Sequence, residues 1–233
     1  MSEPEDPRTQ VREAAGWAIG TFRRNLLAFI ALAAIVTAVQ FLQQLSLGPL
    51  NDVVNECSAP QTPGQQAACA SALATGALTS GTLTLGFAIL TIIVTVGVIR
   101  AALRATRGQE PGFDALLDGH NLGRYLLFQL LYALMAGFGI LMCVLPGLLV
   151  IFFFQLGPYF VLDRGIRIGE AFVASARLIR QNLAAAFLMT VLNALVLLLG
   201  GLFYGVLTLV TLPIATLFTA YLYRRFNNEP VIG

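Results

Sequence analysis

Lysine is absent from this chain, histidine and tryptophan occur once each, and cysteine occurs three times. Three cysteines in 233 residues do not make a disulfide-built scaffold. Charge is scarce too, at 11% of residues, against roughly a quarter in a soluble domain. Hydrophobic residues make up 57%. A core for a chain of this length does not need so much apolar surface, so the excess must face something other than water. The net charge of +2 carries no nucleic-acid signature. The charge is missing in blocks: Leu26–Leu45, Thr79–Ile99, Tyr125–Leu162 and Leu183–Tyr223 contain no ionisable acid, base or histidine. Intramembrane proteolysis, metal catalysis and proton-coupled transport all use such groups inside the apolar layer. Gly-x-Ser-x-Gly, His-Glu-x-x-His and phosphate-cradling glycine loops are missing as well. The lone histidine, in Asp118-Gly119-His120-Asn121, reads as a solvated turn residue. The sequence therefore predicts no enzyme, no catalytic residue, no metal site and no cofactor.

What is present is length in the apolar runs. A spanning helix takes about 20 mainly apolar residues. Leu26–Leu45 and Thr79–Ile99 each fit one span. Tyr125–Leu162 is too long for one and is expected to turn at Pro146-Gly147; Leu183–Tyr223 is expected to turn at Gly200-Gly201. The prediction is an all-α polytopic membrane bundle: six transmembrane helices in three hairpins, at about 26–45, 79–99, 125–144, 148–162, 183–200 and 203–223. A membrane domain over 11–225 is expected, with a disordered tail at 1–10, an outer loop at 46–78 and a C-terminal tail at 226–233.

All fourteen basic residues are arginines, and all lie in segments this topology places on one side. Arg8, Arg12, Arg23 and Arg24 precede the first span. Arg100, Arg104, Arg107 and Arg124 lie between the second and third. Arg164, Arg167, Arg177 and Arg180 lie between the fourth and fifth, and Arg224 and Arg225 follow the sixth. Cytoplasmic flanks retain Arg and Lys, so a bacterial plasma-membrane protein with both termini cytoplasmic is expected. The acidic start, Glu3-Pro4-Glu5-Asp6, is the opposite of a cleaved signal peptide.

A weak repeat accompanies the arginines. At a constant offset of 157, Glu13-Ala14 … Arg23, Asn25, Leu26 and Ala28 coincide with Glu170-Ala171 … Arg180, Asn182, Leu183 and Ala185. Both stretches read as amphipathic helices. In the second, Ile168, Phe172, Ser175 and Ile179 share a face opposite Arg167, Glu170, Arg177 and Gln181. Phe113–Asn121 reads as a shorter third version, so that each hairpin is preceded by a cytoplasmic amphipathic helix. Two roles stand for these helices. They lie in the headgroup layer with Arg23, Arg24, Arg167, Arg177 and Arg180 against anionic lipid, or they dock on the bundle as connectors.

Pro158 and Pro213 each remove a backbone bond within the last two hairpins. Paired interruptions of this kind mark some transporter sites, and proline is also common in membrane helices. Gln129, Gln155 and Asn193 are the candidates for a polar intramembrane site, or for helix-to-helix hydrogen bonds. Ala133-x-x-x-Gly137 and Gly201-x-x-x-Gly205 offer close-packing faces. Cys57 and Cys69, on the oxidising side, are placed to form a disulfide, with unpaired thiols as the alternative. Cys143 reads as an apolar packing residue.

Three short stretches carry a resemblance: Gly16-Trp17 … Phe22-Arg23-Arg24-Asn25, Gly169-Glu170-Ala171-Phe172 … Ser175 … Asn182, and Ala220-Tyr221-Leu222-Tyr223-Arg224-Arg225 … Glu229-Pro230-Val231. Together they resemble a bacterial, notably actinobacterial, family of uncharacterised six-helix integral membrane proteins. The chain is also similar to the membrane domain attached to glycerophosphodiester phosphodiesterases. The long outer segment with two cysteines departs from that pattern. The soluble segments are too short for a phosphodiesterase domain, so the resemblance implies a membrane fold and no reaction. The function expected is that of a non-enzymatic accessory or lipid-interacting module. Its expected partners are membrane lipids, anionic ones included, and an unknown membrane or extracytoplasmic protein, with no nucleic acid. A small-solute or lipid transporter built on the proline-interrupted helices, and a structural subunit of a membrane complex, are the alternatives.

Overall fold

The computed structural model describes residues 6–58, 63–112, 119–202 and 207–232. Among the described residues every regular element is a helix: α1 (Pro7–Arg24), α2 (Leu26–Ser58), α3 (Pro63–Ala105), α4 (Leu122–Met142), α5 (Val144–Phe154), α6 (Gly157–Arg164), α7 (Ile168–Gln181), α8 (Leu183–Leu202) and α9 (Thr208–Phe226). The all-α expectation holds. Five segments are long and apolar enough to cross a membrane: Leu26–Ser46, Ser80–Ala105, Leu122–Met142, Val144–Arg164 and Leu183–Gly200. The expected sixth span, 203–223, is not among them. Residues 203–206 lie outside the described residues, and α9 is the helix most enclosed by others, buried almost continuously from Ala215 to Phe226. It packs against α1, α2, α3 and α8.

Sequential helices pair as the uncharged runs suggest: α2 with α3, α4 with α5, and α8 with α9. The turns fall elsewhere than expected. The chain reverses at Cys143, in extended conformation, and Pro146 sits in the first turn of α5. Proline is tolerated there because its missing N–H would have no helical partner. Gly147 instead lets two backbones meet, since a Cβ on it would lie 2.7 Å from the Ile140 nitrogen and 3.0 Å from the Ala136 oxygen. Gly139 faces the Gly147 backbone from the other side. The expected Ala133-x-x-x-Gly137 face is not the packing face, because nothing lies within 4 Å of a Cβ built on Gly137. Gly200-Gly201 does not end α8, which continues to Leu202, and Gly205 lies outside the described residues.

The expected outer loop, 46–78, is helical over 46–58 and 63–78, and 59–62 lie outside the described residues. α2 runs on to Ser58 and α3 starts at Pro63. Alanine-rich Ala67–Ala77 has the high helix propensity that favours this. At 1.5 Å per residue α2 and α3 are about 50 and 65 Å long, against a hydrocarbon layer of about 30 Å. The tail expected at 1–10 is helical from Pro7, with the Asp6 carboxylate accepting from the Arg8 backbone N–H at 3.0 Å.

The repeat is physical. α1 and α7 both end at an asparagine that stops one helix and starts the next. Asn25 Nδ2 donates to the Thr21 carbonyl at 3.2 Å, and Asn182 Nδ2 to the Leu178 carbonyl at 3.0 Å. Each asparagine carbonyl then accepts the first bond of the following helix, from Phe29 and Ala186. Ala14 and Ala171, Ala18 and Ser175, and Phe29 and Ala186 are matched pairs at the offset of 157 and are all fully buried. Both helices dock by their apolar faces, α1 along α9 and α8, α7 on α5 and α6. Of the third expected copy, 113–118 lies outside the described residues.

Candidate functional site

The break between α5 and α6 positions the second amphipathic helix. Pro158 sits near the start of α6 and cannot donate to Phe154, so the helix interrupts at Gln155-Leu156. Side chains take the carbonyls near the break. Ser175 Oγ donates to the Phe153 oxygen at 2.8 Å, and Gln155 Nε2 to the Phe152 oxygen at 3.0 Å. Pro213 interrupts nothing comparable and lies inside α9. Fixed by Ser175, α7 lays Phe172 between Phe128 (centroids 4.4 Å apart) and Phe154 (4.9 Å, edge-on).

Beside that aromatic seam runs a groove of about 570 Å³ lined by Phe154, Phe172, Val173, Ala176, Arg177, Arg180 and Gln181. Val173 is 60% exposed. The Arg180 guanidinium lies 5.6 Å from the Phe153 ring centre. Among the described residues neither Arg177 nor Arg180 meets a carboxylate. The structure thus brings two of the five candidate headgroup contacts together. Arg167 stands at the opposite end of α7, about 20 Å away along the axis, where its backbone N–H donates to Glu170 at 3.3 Å. Arg24 is on α1, donating to Thr21 Oγ1 at 3.3 Å, and Arg23 beside it is exposed.

Gln129, Gln155 and Asn193 do not converge on one bonded site. Gln155 Nε2 also donates to Thr190 Oγ1 at 2.8 Å, tying the α5–α6 break to α8. Asn193 Nδ2 donates to Thr219 Oγ1 at 2.8 Å, tying α8 to α9. Gln129 Oε1 is buried without a partner among the described residues. Asn193 borders a small apolar space of about 140 Å³ between α1, α8 and α9. Cys57 and Cys69 are disulfide-bonded, with Cα atoms 5.7 Å apart, and staple the end of α2 to the start of α3. Cys143 is free and exposed at the α4–α5 turn, which corrects its reading as a packing residue.

The sequence reading missed a knot of charge at the opposite end from the disulfide. Asp163 at the end of α6 is 3% exposed and pairs with Arg224 of α9 at 2.7 Å, with Arg107, and with the Tyr223 hydroxyl, which donates at 3.2 Å. Arg224 also pairs with Glu229 and reaches Thr106 Oγ1, and Arg164 pairs with Glu229 at 2.6 Å. Burial raises the Glu229 pKa, but the two guanidiniums outweigh it and hold the carboxyl below its ordinary value. Nearby, Arg124 donates to the Gly165 carbonyl at 2.7 Å and the Ile232 backbone N–H donates to Thr106 at 3.1 Å. Arg100 donates to the carbonyl of exposed His120. One signal was available: Asp163 is the acidic residue that ends a long uncharged run, directly beside Arg164.

These features define an all-helical protein with several helices able to cross a membrane and a basic, ion-paired end. Residues 70–227 match the family described as "Domain of unknown function (DUF7847)", and the chain belongs to that family. It is also similar to the uncharacterised protein Mb2590 of Mycobacterium bovis, at 27% identity over 143 residues, 61% of this chain and 44% of the relative. The uncharacterised protein Rv2560 of Mycobacterium tuberculosis aligns with the same identity and coverage. The chain therefore spans less than half the length of these mycobacterial relatives. No solved structure matches it.

Proposed function

We propose that the chain is a non-enzymatic, multi-pass plasma-membrane protein that acts as an accessory, lipid-interacting module. In this reading six spans form three hairpins, both termini are cytoplasmic, and the likeness to the membrane domain attached to glycerophosphodiester phosphodiesterases is one of architecture. The observation that carries it is the gathering of arginines at one end of the bundle. Arg107, Arg164 and Arg224 share Asp163 and Glu229 there, with Arg124 nearby on the Gly165 carbonyl, while the disulfide staples the far end. A basic end is retained in the cytoplasm and faces the anionic leaflet. The stapled extension of α2 and α3 then stands outside, where an extracytoplasmic partner would find it. Gln155 and Asn193 are each engaged with a threonine of another helix, which favours this reading over a transport path through them.

Cys143 supplies the test, because it is the free thiol among the described residues and is exposed. A membrane-impermeant maleimide added to intact cells is expected to label it. Labelling only after the inner face is opened would reverse the orientation and remove the basis of the proposal.

A further inference from the structure

We propose that the groove on α7 holds one anionic phospholipid, its phosphate clamped by Arg177 and Arg180 and its acyl chain lying against Phe154, Phe172 and Val173. The inference rests on the lipid-interacting reading above and narrows it to a single site.

The chemistry of the walls selects the occupant. Arg177 and Arg180 are one helical turn apart on α7, both exposed, and neither has a carboxylate partner among the described residues. Paired guanidiniums suit a phosphate because each offers a planar fork of donors. Apart from Gln181 the rest of the lining is apolar: Phe172 and Phe154 pack edge-on at 4.9 Å, and Val173 stands 60% exposed beside them. A free phosphate ion would leave that surface uncovered, whereas a phospholipid covers it and presents its charge to the arginines in one move. A volume of about 570 Å³ is enough for a headgroup and the first part of a chain.

The internal repeat shows that the groove is a departure from a packed arrangement. At the offset of 157, Phe172 corresponds to Ala15, Ala176 to Ile19 and Arg177 to Gly20. In the first copy Ala15 and Ile19 face Leu192, Val196, Ile214 and Phe218, and only about 140 Å³ remains between them. In the second copy the same positions border a space four times as large, and the position held by glycine carries an arginine. Gly20 meets nothing that would exclude a side chain, so the difference is not forced by crowding in the first copy. The second copy has an opened cleft, with Arg177 in place of Gly20 and Gln181 in place of Arg24, so its two cations stand one helical turn apart at the edge.

Native mass spectrometry of the intact chain in detergent tests this, with phosphatidylglycerol, phosphatidylcholine or inorganic phosphate titrated in. One phosphatidylglycerol is expected to be retained in preference to phosphatidylcholine. R177Q/R180Q is expected to weaken that first lipid about ten- to a hundredfold, the loss of two charged hydrogen-bond partners, while R12Q/R23Q leaves it unchanged. Val173→Glu, at an exposed position that does not bear on folding, is expected to weaken it too by placing a carboxylate in the groove. Anionic-lipid preference that survives both groove variants but falls in R12Q/R23Q overturns this site and leaves the broader reading standing. No preference for phosphatidylglycerol in any form overturns both. Inorganic phosphate displacing the lipid from the native chain at equal concentration overturns the lipid as occupant.

Discussion

Replacing Arg224 with methionine tests whether the charge knot holds the bundle's basic end together. Asp163 is 3% exposed and Arg224 9%, at 2.7 Å. Removing one partner of a buried pair strands the other's charge, at a cost of about 3–5 kcal/mol. Two things reduce this here. Asp163 keeps Arg107 and the Tyr223 hydroxyl, and Arg107, 49% exposed, contributes about 1 kcal/mol or less through solvent screening. We therefore expect Arg224→Met to cost about 3 kcal/mol. Asp163→Asn should cost less, about 2 kcal/mol, because Arg224 retains Glu229. Residues in one ion-pair network couple by about 0.5–3 kcal/mol, so the double variant should be less destabilised than the sum of the singles. The assay is unfolding by a graded denaturing detergent in mixed micelles, followed by circular dichroism, with exposed Arg12→Gln as the control. Additivity of the two substitutions, or an Arg224→Met chain as stable as that control, would refute the reasoning.

Reducing the Cys57–Cys69 bond, or Cys57→Ser, should release the staple on α2 and α3, a constraint worth about 3 kcal/mol for a loop of this size. Amide exchange should then rise over 51–58 and 63–76, and unchanged protection would count against it. Gly147→Ala should cost about 1–3 kcal/mol by forcing α4 and α5 apart, whereas Gly137→Ala, with no neighbour at its Cβ position, should be neutral or slightly stabilising. Equal effects at the two glycines would contradict the packing described. Glu229 has its folded-state pKa depressed, so its contribution is present above the ordinary carboxylate range and is lost as pH falls through the folded value. Melting temperature in detergent, followed from neutral pH into the acid range, should fall more steeply for the native chain than for Glu229→Gln; parallel curves would remove Glu229 from the charge knot.

The asparagine joints are legible in the sequence. Arg-x-Asn-Leu frames at Asn25 and Asn182 could be seen as a repeat because the same local bond, side-chain amide to a carbonyl one turn back, uses the same residue types. The apolar face of α7 was legible for the same reason: helical period is a property of neighbours in sequence. The turns were less so. Pro146-Gly147 and Gly200-Gly201 carry the composition of turns, yet both lie in helices. A proline in a first turn and a glycine at a helix contact look the same in sequence as a proline and glycine in a loop. The 46–78 segment reads in sequence as an outer connection; that helices run into it follows from local propensity, as in alanine-rich 67–77.

Sequence by itself determined the class of protein: long uncharged runs make apolar helices, and arginines confined between them mark one end. Those are consequences of composition and short-range order. Tertiary structure alone decided which arginines act together. Arg224 is neutralised by Asp163, brought from the distant end of α6, and by Glu229, five residues further along its own segment. Arg177 and Arg180 are left facing an aromatic groove because the break at Gln155-Leu156 sets α7 beside Phe154. In sequence all fourteen arginines are the same cation; burial and the carboxylates within reach make some of them structural and leave others open to a ligand.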